Sequence, residues 1–387
     1  MRKKMISLMM TVAMGTVMIS GATVVKADSD EKETVKLAVW SSGAADNFQK
    51  GADEFNKRQD KINFVVEMQS GDYSQYLGAK VASNDLPDMF FLNPYSQVQQ
   101  FAATGRIVDL SEEGFATKIY DSVKDACSYD GKIYAYPMAV EMLGVYYNQE
   151  LFEKAGITEV PKTFSQMKEV CEKLQASGIT PFAATYKDAW TLNHLFSCLQ
   201  GAAVGDYESW VADMNAGKGS FRNDNSSLEF EFMDMMKENS GGNYMDADST
   251  SGFNAFASGE AAMIVTGEFS LLNAQSINPD LQVGLFGVPL TENEEDAKLD
   301  VDVGICIAVN QNTPHLDAVR EVLNYLSDNT DENGWMHYSA DSMGAAPPAM
   351  DFYNVNRISV IRDIRIICQI TRQNHGYTHS LSPALAI

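Results

Sequence analysis

The stretch Val35-Lys-Leu-Ala-Val-Trp40 decides the fold class, because it opens an alternation of short apolar strands and longer amphipathic helices. Apolar residues follow at helical spacing over 44–55, and a second strand pattern covers 62–67. A helical pattern at 73–83 and a third strand pattern at 88–91 complete the series. This β-α-β-α-β order predicts an α/β fold with a mainly parallel sheet and crossover helices.

A second unit with the same alternation is predicted from about residue 146 onward. Thr163 and Gln166 form a capping box before an amphipathic helix that ends at Gly178. Residues 182–237 are mostly helical and rich in aromatic side chains. The remaining strands and the final helix are predicted at 259–265, 284–288, 303–309 and 313–326. Two such units without a long linker predict two lobes, with a ligand crevice at the carboxyl ends of their strands.

The first 27 residues have the pattern of a signal peptide for export. Arg2, Lys3 and Lys4 precede a mostly apolar run, and Val25-Lys-Ala27 places small residues at both positions that a signal peptidase reads. An N-terminal membrane anchor is the alternative, because the run approaches the length of a span. Ala22 stands where a lipoprotein would carry its lipid-bearing cysteine. Without a lipobox cysteine, we expect a soluble, extracytoplasmic protein.

The chain is strongly acidic, with a net charge of -23 although its first 27 residues contribute +4. Nucleic-acid binding needs clustered Lys and Arg, so this charge argues against it. The same charge disfavours anionic membranes and phosphorylated ligands, and it suits a receptor for neutral small molecules. Five widely spaced cysteines without a Cys-x-x-Cys pair predict buried free thiols, with one disulfide as the alternative.

Residues 351–387 differ in composition from the rest of the chain. They contain neither Lys nor Glu and are rich in Ile and Arg. This abrupt change predicts an aberrant ending, such as a reading-frame error leaves, and a short basic amphipathic helix is the alternative. We assign no function to this tail.

The sequence lacks the motifs of the common enzyme classes. It has no Gly-x-Ser-x-Gly motif, no Gly-rich phosphate loop after a strand and no ligand cluster at metal-binding spacing. The segment from Asp246 to Gly252 resembles a calcium loop only superficially, because it lacks the glycine at the sixth position and the acid at the twelfth. His194 lies among apolar residues at helical spacing, which predicts a packed side chain. We therefore predict no catalytic residue, no cofactor and no metal.

A glycoside hydrolase remains the enzyme alternative, because it needs only two carboxyl groups at a set separation. Glu141 and Glu268 are the candidate pair. Acidic residues are abundant in this chain, so their presence alone says little.

Five segments carry a pattern that is more specific in combination than any one of them is alone. They are LAVWSS (37–42), LPDMFF (86–91), FAATGRIVDL (101–110), GKIYAYPMAVEMLGVYYNQELFEKAG (131–156) and FASGEAAMIVTGEF (256–269). In this order, behind an export signal, they resemble the extracellular solute-binding proteins of carbohydrate ABC transporters, the family that includes maltose-binding protein. The resemblance implies a type II periplasmic-binding-protein-like fold, in which two hinged lobes close on a sugar.

The resemblance also implies where the chain crosses between the lobes. The expected crossings lie near Val140-Glu141, Asp302–Gly304 and Gly344–Pro348. Lobe one would then contain residues 35–140 and 304–345, and lobe two would contain residues 141–303.

The expected site follows from matched positions and from sugar chemistry. A sugar ring offers an apolar face to aromatic rings and a rim of hydroxyl groups to carboxylates and amides. Trp40, Trp190 and Phe269 are the predicted stacking residues, Glu141 is the predicted hydroxyl acceptor and Asn93 is a predicted donor.

Five further side chains are weaker candidates. Asp88 is predicted either to cap the start of the third strand or to bind the ligand. The others are Asp72, Tyr73, Glu268 and Asp302.

By resemblance, the chain is expected to be a monomeric receptor without enzyme activity. It would capture a mono- or oligosaccharide outside the cytoplasm and deliver it to the permease subunits of an ABC transporter in the membrane. The alternatives are a secreted glycoside hydrolase and the same fold with a non-sugar solute, such as a peptide or a polyamine.

Overall fold

The computed structural model describes residues 32–40, 45–119 and 121–327. The predicted signal peptide, the expected crossing at 344–348, the part of predicted lobe one beyond residue 327 and the tail at 351–387 lie outside these residues. Strands and helices alternate in the first unit as predicted. Its elements are β1 (Glu33–Trp40), α1 (Ala45–Arg58), β2 (Ile62–Gln69), α2 (Tyr73–Ser83), β3 (Met89–Leu92), α3 (Ser96–Ala103), α4 (Asp121–Lys124), β4 (Ser128–Tyr129) and β5 (Lys132–Ile133).

The second unit opens with a strand of 14 residues that the sequence patterns did not predict. Thr163 caps the long helix after it as predicted, because its side chain accepts a hydrogen bond from the Gln166 N–H. The elements are β6 (Ala135–Asn148), α5 (Gln149–Lys154), α6 (Phe164–Ala176), β7 (Thr180–Phe182), α7 (Ala189–Val204), α8 (Tyr207–Asn215), α9 (Ser226–Glu238), α10 (Ser249–Ala257), β8 (Ala261–Gly267), α11 (Phe269–Ile277), β9 (Val283–Phe286), β10 (Asp300–Val309) and α12 (Leu316–Ser327).

Eight strands form one sheet in the order β2-β1-β3-β10-β6-β8-β7, and β9 also pairs with β6. The pairs β1–β2, β1–β3 and β7–β8 are parallel, as predicted. The pairs that β6 and β10 form with each other and with β3, β8 and β9 are antiparallel. The prediction of a mainly parallel sheet is therefore wrong at its centre, because two long strands of opposite direction run there.

Buried hydrophobic side chains form separate clusters on the two sides of this centre. One cluster combines residues 35–138 with residues 303–326. Two others draw their members from residues 142–290. Strand β6 leaves the first cluster after Val140, and β10 returns to it at Val303. We propose to place the lobe boundaries at these two passages, near residues 140 and 303.

The cysteines of the described part are buried free thiols. This confirms the prediction for Cys127, Cys171, Cys198 and Cys306. Cys368 lies outside the described residues. None of the helices in the described part of the chain is both long and apolar enough to cross a membrane.

Candidate functional site

Two predicted site residues lie at the carboxyl end of the lobe-one strands. Trp40 is the last residue of β1 and is only partly buried. Its ring meets the edges of Phe91 and Tyr73, with centroids 4.9 and 5.4 Å away, and these contacts fix its orientation. Asn93 directly follows β3 and is exposed. Both residues lie where a ligand between parallel strand ends would bind.

Asp72 and Tyr73 hold the scaffold beside these residues. The Asp72 carboxylate caps α2 by accepting a hydrogen bond from the Gln75 N–H at 3.1 Å. The Tyr73 hydroxyl accepts from the Phe91 N–H at 3.0 Å and lies 3.2 Å from the Ala38 carbonyl oxygen, to which it donates. These bonds engage polar atoms that were predicted to face the ligand, and a ligand role for either residue stays a prediction.

Asp88 lies at the opposite end of β3 from Asn93. Its buried carboxylate accepts hydrogen bonds from the Lys36 N–H at 3.0 Å and from the Thr313 hydroxyl at 2.5 Å. Five residue steps along β3 separate it from Asn93, which corresponds to about 17 Å at ~3.3 Å per residue. This geometry favours the alternative in which Asp88 fixes the start of the strand.

An aromatic platform, formed by Trp190, His194, Phe253 and Phe269, lies in the second unit. The Trp190 ring is the centre of this group, with centroids 5.4 Å from His194, 6.4 Å from Phe253 and 6.0 Å from Phe269. Trp190 is the second residue of α7 and is 40% exposed, so its ring is available to a ligand. The platform brings together the two stacking residues predicted for this lobe, Trp190 and Phe269.

His194 and Phe253 are platform members that the sequence patterns did not assign to the site. The spacing of four residues between Trp190 and His194 on one helix was the available signal. Burial lowers the pKa of His194 and favours the neutral imidazole. Its Nδ1 is buried and has no hydrogen-bond partner in the described residues.

Glu141 lies where β6 and β10 cross between the clusters, opposite Asp302 in the antiparallel register. Glu141 is partly buried, and burial raises the pKa of its carboxyl group to about 7. The register shifts between Val303 and Ile305, which leaves Gly304 as an extra residue beside Glu141. A Cβ at Gly304 would overlap the Glu141 carboxyl group, so glycine is needed here to make room for it.

Glu268 follows β8 and is completely buried. Its Oε2 accepts a hydrogen bond from the Met142 N–H at 2.6 Å, whereas its Oε1 has no partner among the described residues. Burial and the nearby Glu141 carboxylate raise its pKa well above the usual range of a carboxyl group.

Asp302 is tied to the first unit by Tyr95, which the sequence patterns missed. The Tyr95 hydroxyl donates to both Asp302 carboxylate oxygens, at 2.9 and 2.7 Å. Burial raises the pKa of Asp302, and the bond from Tyr95 opposes this effect. Tyr95 has a φ of 55°, an uncommon backbone conformation for a non-glycine residue. Only its place just after β3 pointed to the site.

The structure places five of the ten predicted residues around the crossing strands and the platform. Tyr95 bonds Asp302, which pairs with Glu141 across the strands. The Glu141 charge acts on Glu268, which directly precedes Phe269 of the platform. Trp40 and Asn93 lie at the ends of the adjacent lobe-one strands, and Asp88 lies apart.

Two surface cavities, of about 250 and 270 Å³, lie elsewhere on the described surface. One is lined by Tyr147, Phe152 and Val160 among others, and the other by Lys36, Lys80 and Asp88 among others.

Residues 41–332 match the family model described as bacterial extracellular solute-binding protein. The chain belongs to this family. Among curated solute-binding relatives, the multiple sugar-binding protein of Streptococcus mutans is 23% identical over 84% of this chain and 78% of its own length. The melibiose/raffinose/stachyose-binding protein MelE of Bacillus subtilis is 19% identical, with coverage of 88% and 80%.

Solved structures of similar solute-binding proteins share the fold. The binding protein RafE in complex with raffinose superposes with a TM-score of 0.73 at 20% identity, over 86% of this chain and 87% of that one. A chitin oligosaccharide binding protein gives a TM-score of 0.74 at 20% identity, with coverage of 86% and 85%. These similarities confirm the predicted two-lobed periplasmic-binding-protein-like fold.

Gly267 offers a test of the platform in this solute-binding protein. A Cβ at this position would collide with the Phe269 ring, so Gly267→Ala is expected to push the ring away from Trp190. We expect affinity for the ligand to fall about tenfold, which corresponds to ~1.4 kcal/mol. Titration calorimetry on the purified variant measures this change.

The matched control is Gly201→Ala on α7, where a Cβ would meet no atom within 4 Å. This substitution should leave affinity unchanged and slightly favour the helix. Equal affinity in both variants and in the wild type would show that Phe269 does not shape the ligand site.

Proposed function

We propose that the chain is the extracytoplasmic substrate-binding component of an ABC sugar importer. It captures a mono- or oligosaccharide between its lobes, closes by hinge bending and delivers the sugar to a membrane permease. The observation that carries this proposal is the exposed Trp190 ring, which contacts Phe269 in a platform that directly follows Glu268, a residue on which the Glu141 charge acts. A ring face next to a carboxylate acceptor matches the two chemical features of a sugar.

The names of the relatives support a sugar as the solute. The two curated relatives described above are named for multiple sugars and for melibiose, raffinose and stachyose. The similar solved structures contain raffinose in one case and are named for chitin oligosaccharides in another. We therefore place oligosaccharides first among the solutes to be tested, with the receptor acting as a monomer.

The proposed role is capture without catalysis. A glycoside hydrolase would need both carboxyl groups of a pair to flank the scissile bond. Glu268, one member of the candidate pair, is completely buried and accepts a hydrogen bond from the Met142 N–H. A substrate could not reach it in this conformation, which argues against hydrolysis by Glu141 and Glu268.

A cationic solute is the second candidate, because four buried or partly buried carboxyl groups gather at the crossing. They are Glu141, Glu268, Asp300 and Asp302, and no lysine or arginine among the described residues contributes to their pKa shifts. Uncompensated carboxylates would favour an ammonium group. Binding of such a solute would weaken steeply as salt is added.

A thermal-shift screen of the mature protein against a glycan panel and polyamines tests this proposal. A ligand at one hundred times its dissociation constant stabilises the folded state by about 2.7 kcal/mol, or roughly 4 °C for a chain of this size. We expect an oligosaccharide to give this shift and to be recovered intact by chromatography. Shortened products would support hydrolysis. A shift by polyamines alone, lost at high salt, would support the cationic solute.

A further inference from the structure

His194 is the polar member of the aromatic platform. It follows Trp190 by four residues on α7, so the two side chains lie on the same face of the helix. Its ring centroid lies 5.4 Å from that of Trp190 at an interplanar angle of 75°, and 5.9 Å from that of Phe269 at 62°. Because these edge contacts on two sides fix the plane of the imidazole, its two nitrogens have defined surroundings.

The two nitrogens of His194 differ in their access to solvent. Nδ1 is enclosed, and no backbone or side-chain group of the described residues forms a hydrogen bond with it. The residue as a whole is only half-buried. Its Nε2 forms no hydrogen bond with a described residue, and it is not one of the enclosed atoms that lack a partner. Nε2 is therefore the nitrogen that a ligand on the platform can reach.

The enclosed Nδ1 decides where the imidazole carries its proton. Burial lowers the pKa of His194, and no charged group of the described residues contributes to this shift, so the ring favours the neutral form with one proton. On Nδ1 this proton would be a buried donor without an acceptor, which folded proteins rarely tolerate. A buried acceptor without a donor is found somewhat more often. The proton therefore belongs on Nε2, where water or a ligand oxygen accepts it.

We propose that His194 is a specificity-determining residue of the platform, which donates a hydrogen bond from its Nε2–H to an oxygen atom of the bound sugar. This assignment rests on the proposed function, in which a sugar ring stacks on Trp190. Stacking recognises the apolar face of the ring, whereas the oxygens at its edge also need donors. Ionised carboxyl groups only accept hydrogen bonds, so the neutral imidazole complements the acidic residues of the crossing.

Two substitutions separate hydrogen bonding from packing, with raffinose and chitotriose as probes. His194→Phe keeps an aromatic ring but has no N–H, so affinity measured by titration calorimetry should fall about tenfold. Because this change also removes the unpartnered Nδ1 from the interior, the melting temperature should not fall. A residue with only a structural role would give the opposite result, with lower stability and unchanged affinity.

His194→Gln is the conservative variant, since its amide N–H group replaces the donor. It should keep affinity for the two probes within about threefold of the wild type. The control is His315→Gln, because His315 lies just before α12 and bonds Glu33 at 2.7 Å instead of a residue of the platform. This control should change neither affinity nor the signals of the His194 ring.

A measurement without ligand keeps the test separate from the proposed function. Nitrogen NMR of protein labelled at its histidine rings shows which nitrogen carries the proton, and the signals missing in His194→Phe belong to His194. At about pH 6.5, where an unperturbed histidine is half protonated, the His194 ring should be mainly neutral, with its proton on Nε2. Addition of a probe that binds should then shift the Nε2 signal more than the Nδ1 signal.

The outcomes distinguish the donor assignment from the proposed function. If no sugar of the glycan panel binds but Nε2 carries the proton, the proposed function fails and the donor assignment stands. A proton on Nδ1 would mean that an enclosed water accepts it and that Nε2 is an acceptor, which overturns the proposal. The proposal is also overturned if His194→Phe binds the probes as tightly as the wild type does.

Discussion

Replacement of Trp190 by alanine is expected to weaken oligosaccharide binding about 30-fold. Trp190 is the centre of the aromatic platform and exposes 40% of its surface, so a sugar ring stacked on it would bury a large apolar face. Tryptophan side chains at the centre of a binding site commonly contribute about 2 kcal/mol or more, and ~2 kcal/mol corresponds to this factor. Titration calorimetry with the ligand found in the thermal screen gives the dissociation constant directly.

An exposed aromatic residue outside the platform provides the control for Trp190→Ala. Phe230 on α9 exposes 66% of its surface and makes no ring contact with the platform in the described residues. Phe230→Ala is expected to bind as the wild type does. If both variants bind equally well, the platform is ordinary packing and the ligand stacks elsewhere, with Trp40 as the next candidate.

Replacement of Asp88 by alanine is expected to give the largest loss of stability at a predicted site residue. The change removes the carboxylate oxygens that accept hydrogen bonds from the Lys36 N–H and the Thr313 hydroxyl. It leaves both donors next to a buried void. Lost hydrogen bonds to a buried carboxylate cost about 2–4 kcal/mol in total, so the melting temperature should fall by roughly 3–5 °C. Calorimetric unfolding of the unliganded variant measures this shift.

Ligand binding by the same variant decides between the two roles predicted for Asp88. Because Asp88 lies at the far end of β3 from Asn93, the dissociation constant should change less than about twofold at a temperature where the variant is folded. Asp85→Ala is the control, since the Asp85 carboxylate is exposed and pairs only with Lys80, and its melting temperature should stay nearly unchanged. A large loss of affinity with unchanged stability would assign Asp88 to the ligand.

Local periodicity was sufficient to predict the first five elements of the first unit, from β1 to β3. The pattern placed α2 at residues 73–83, where the structure has it, and β1 to β3 within two residues of their observed ends. These elements pack on one nearby core, so their hydrophobic spacing carries the needed information.

Strand β6 was missed because tertiary pairing overrides its local signals. Pro137 and Gly144 interrupt the strand pattern, and both residues weaken a prediction of a central strand. In the structure, Gly144 is required because a Cβ would press against the Phe286 carbonyl oxygen at 2.8 Å. The partners of β6 lie more than 100 residues away, on β8, β9 and β10, and no local window contains them. Because β6 was not predicted, the antiparallel direction of the central strands was not predicted either.

The candidate site likewise contains residues that could be predicted from the sequence and residues that only the folded structure reveals. The predictions that Trp190 and Phe269 stack on the ligand and that Glu141 accepts from it followed from the resemblance, and the structure shows the Trp190 and Phe269 rings in contact. Tyr95 was missed, because neither its positive φ nor its bond to Asp302, 207 residues away, leaves a sequence pattern. Glu268 was ranked low, because burial and an unpartnered oxygen are visible only in the structure.

Small-angle X-ray scattering of the mature protein, with and without the sugar identified in the screen, is the most direct examination of lobe closure. The account predicts a smaller radius of gyration once the sugar is saturating, and a return to the original value when the sugar is dialysed away intact. A radius that stays constant while calorimetry reports full occupancy would contradict a receptor that works by closing around its ligand.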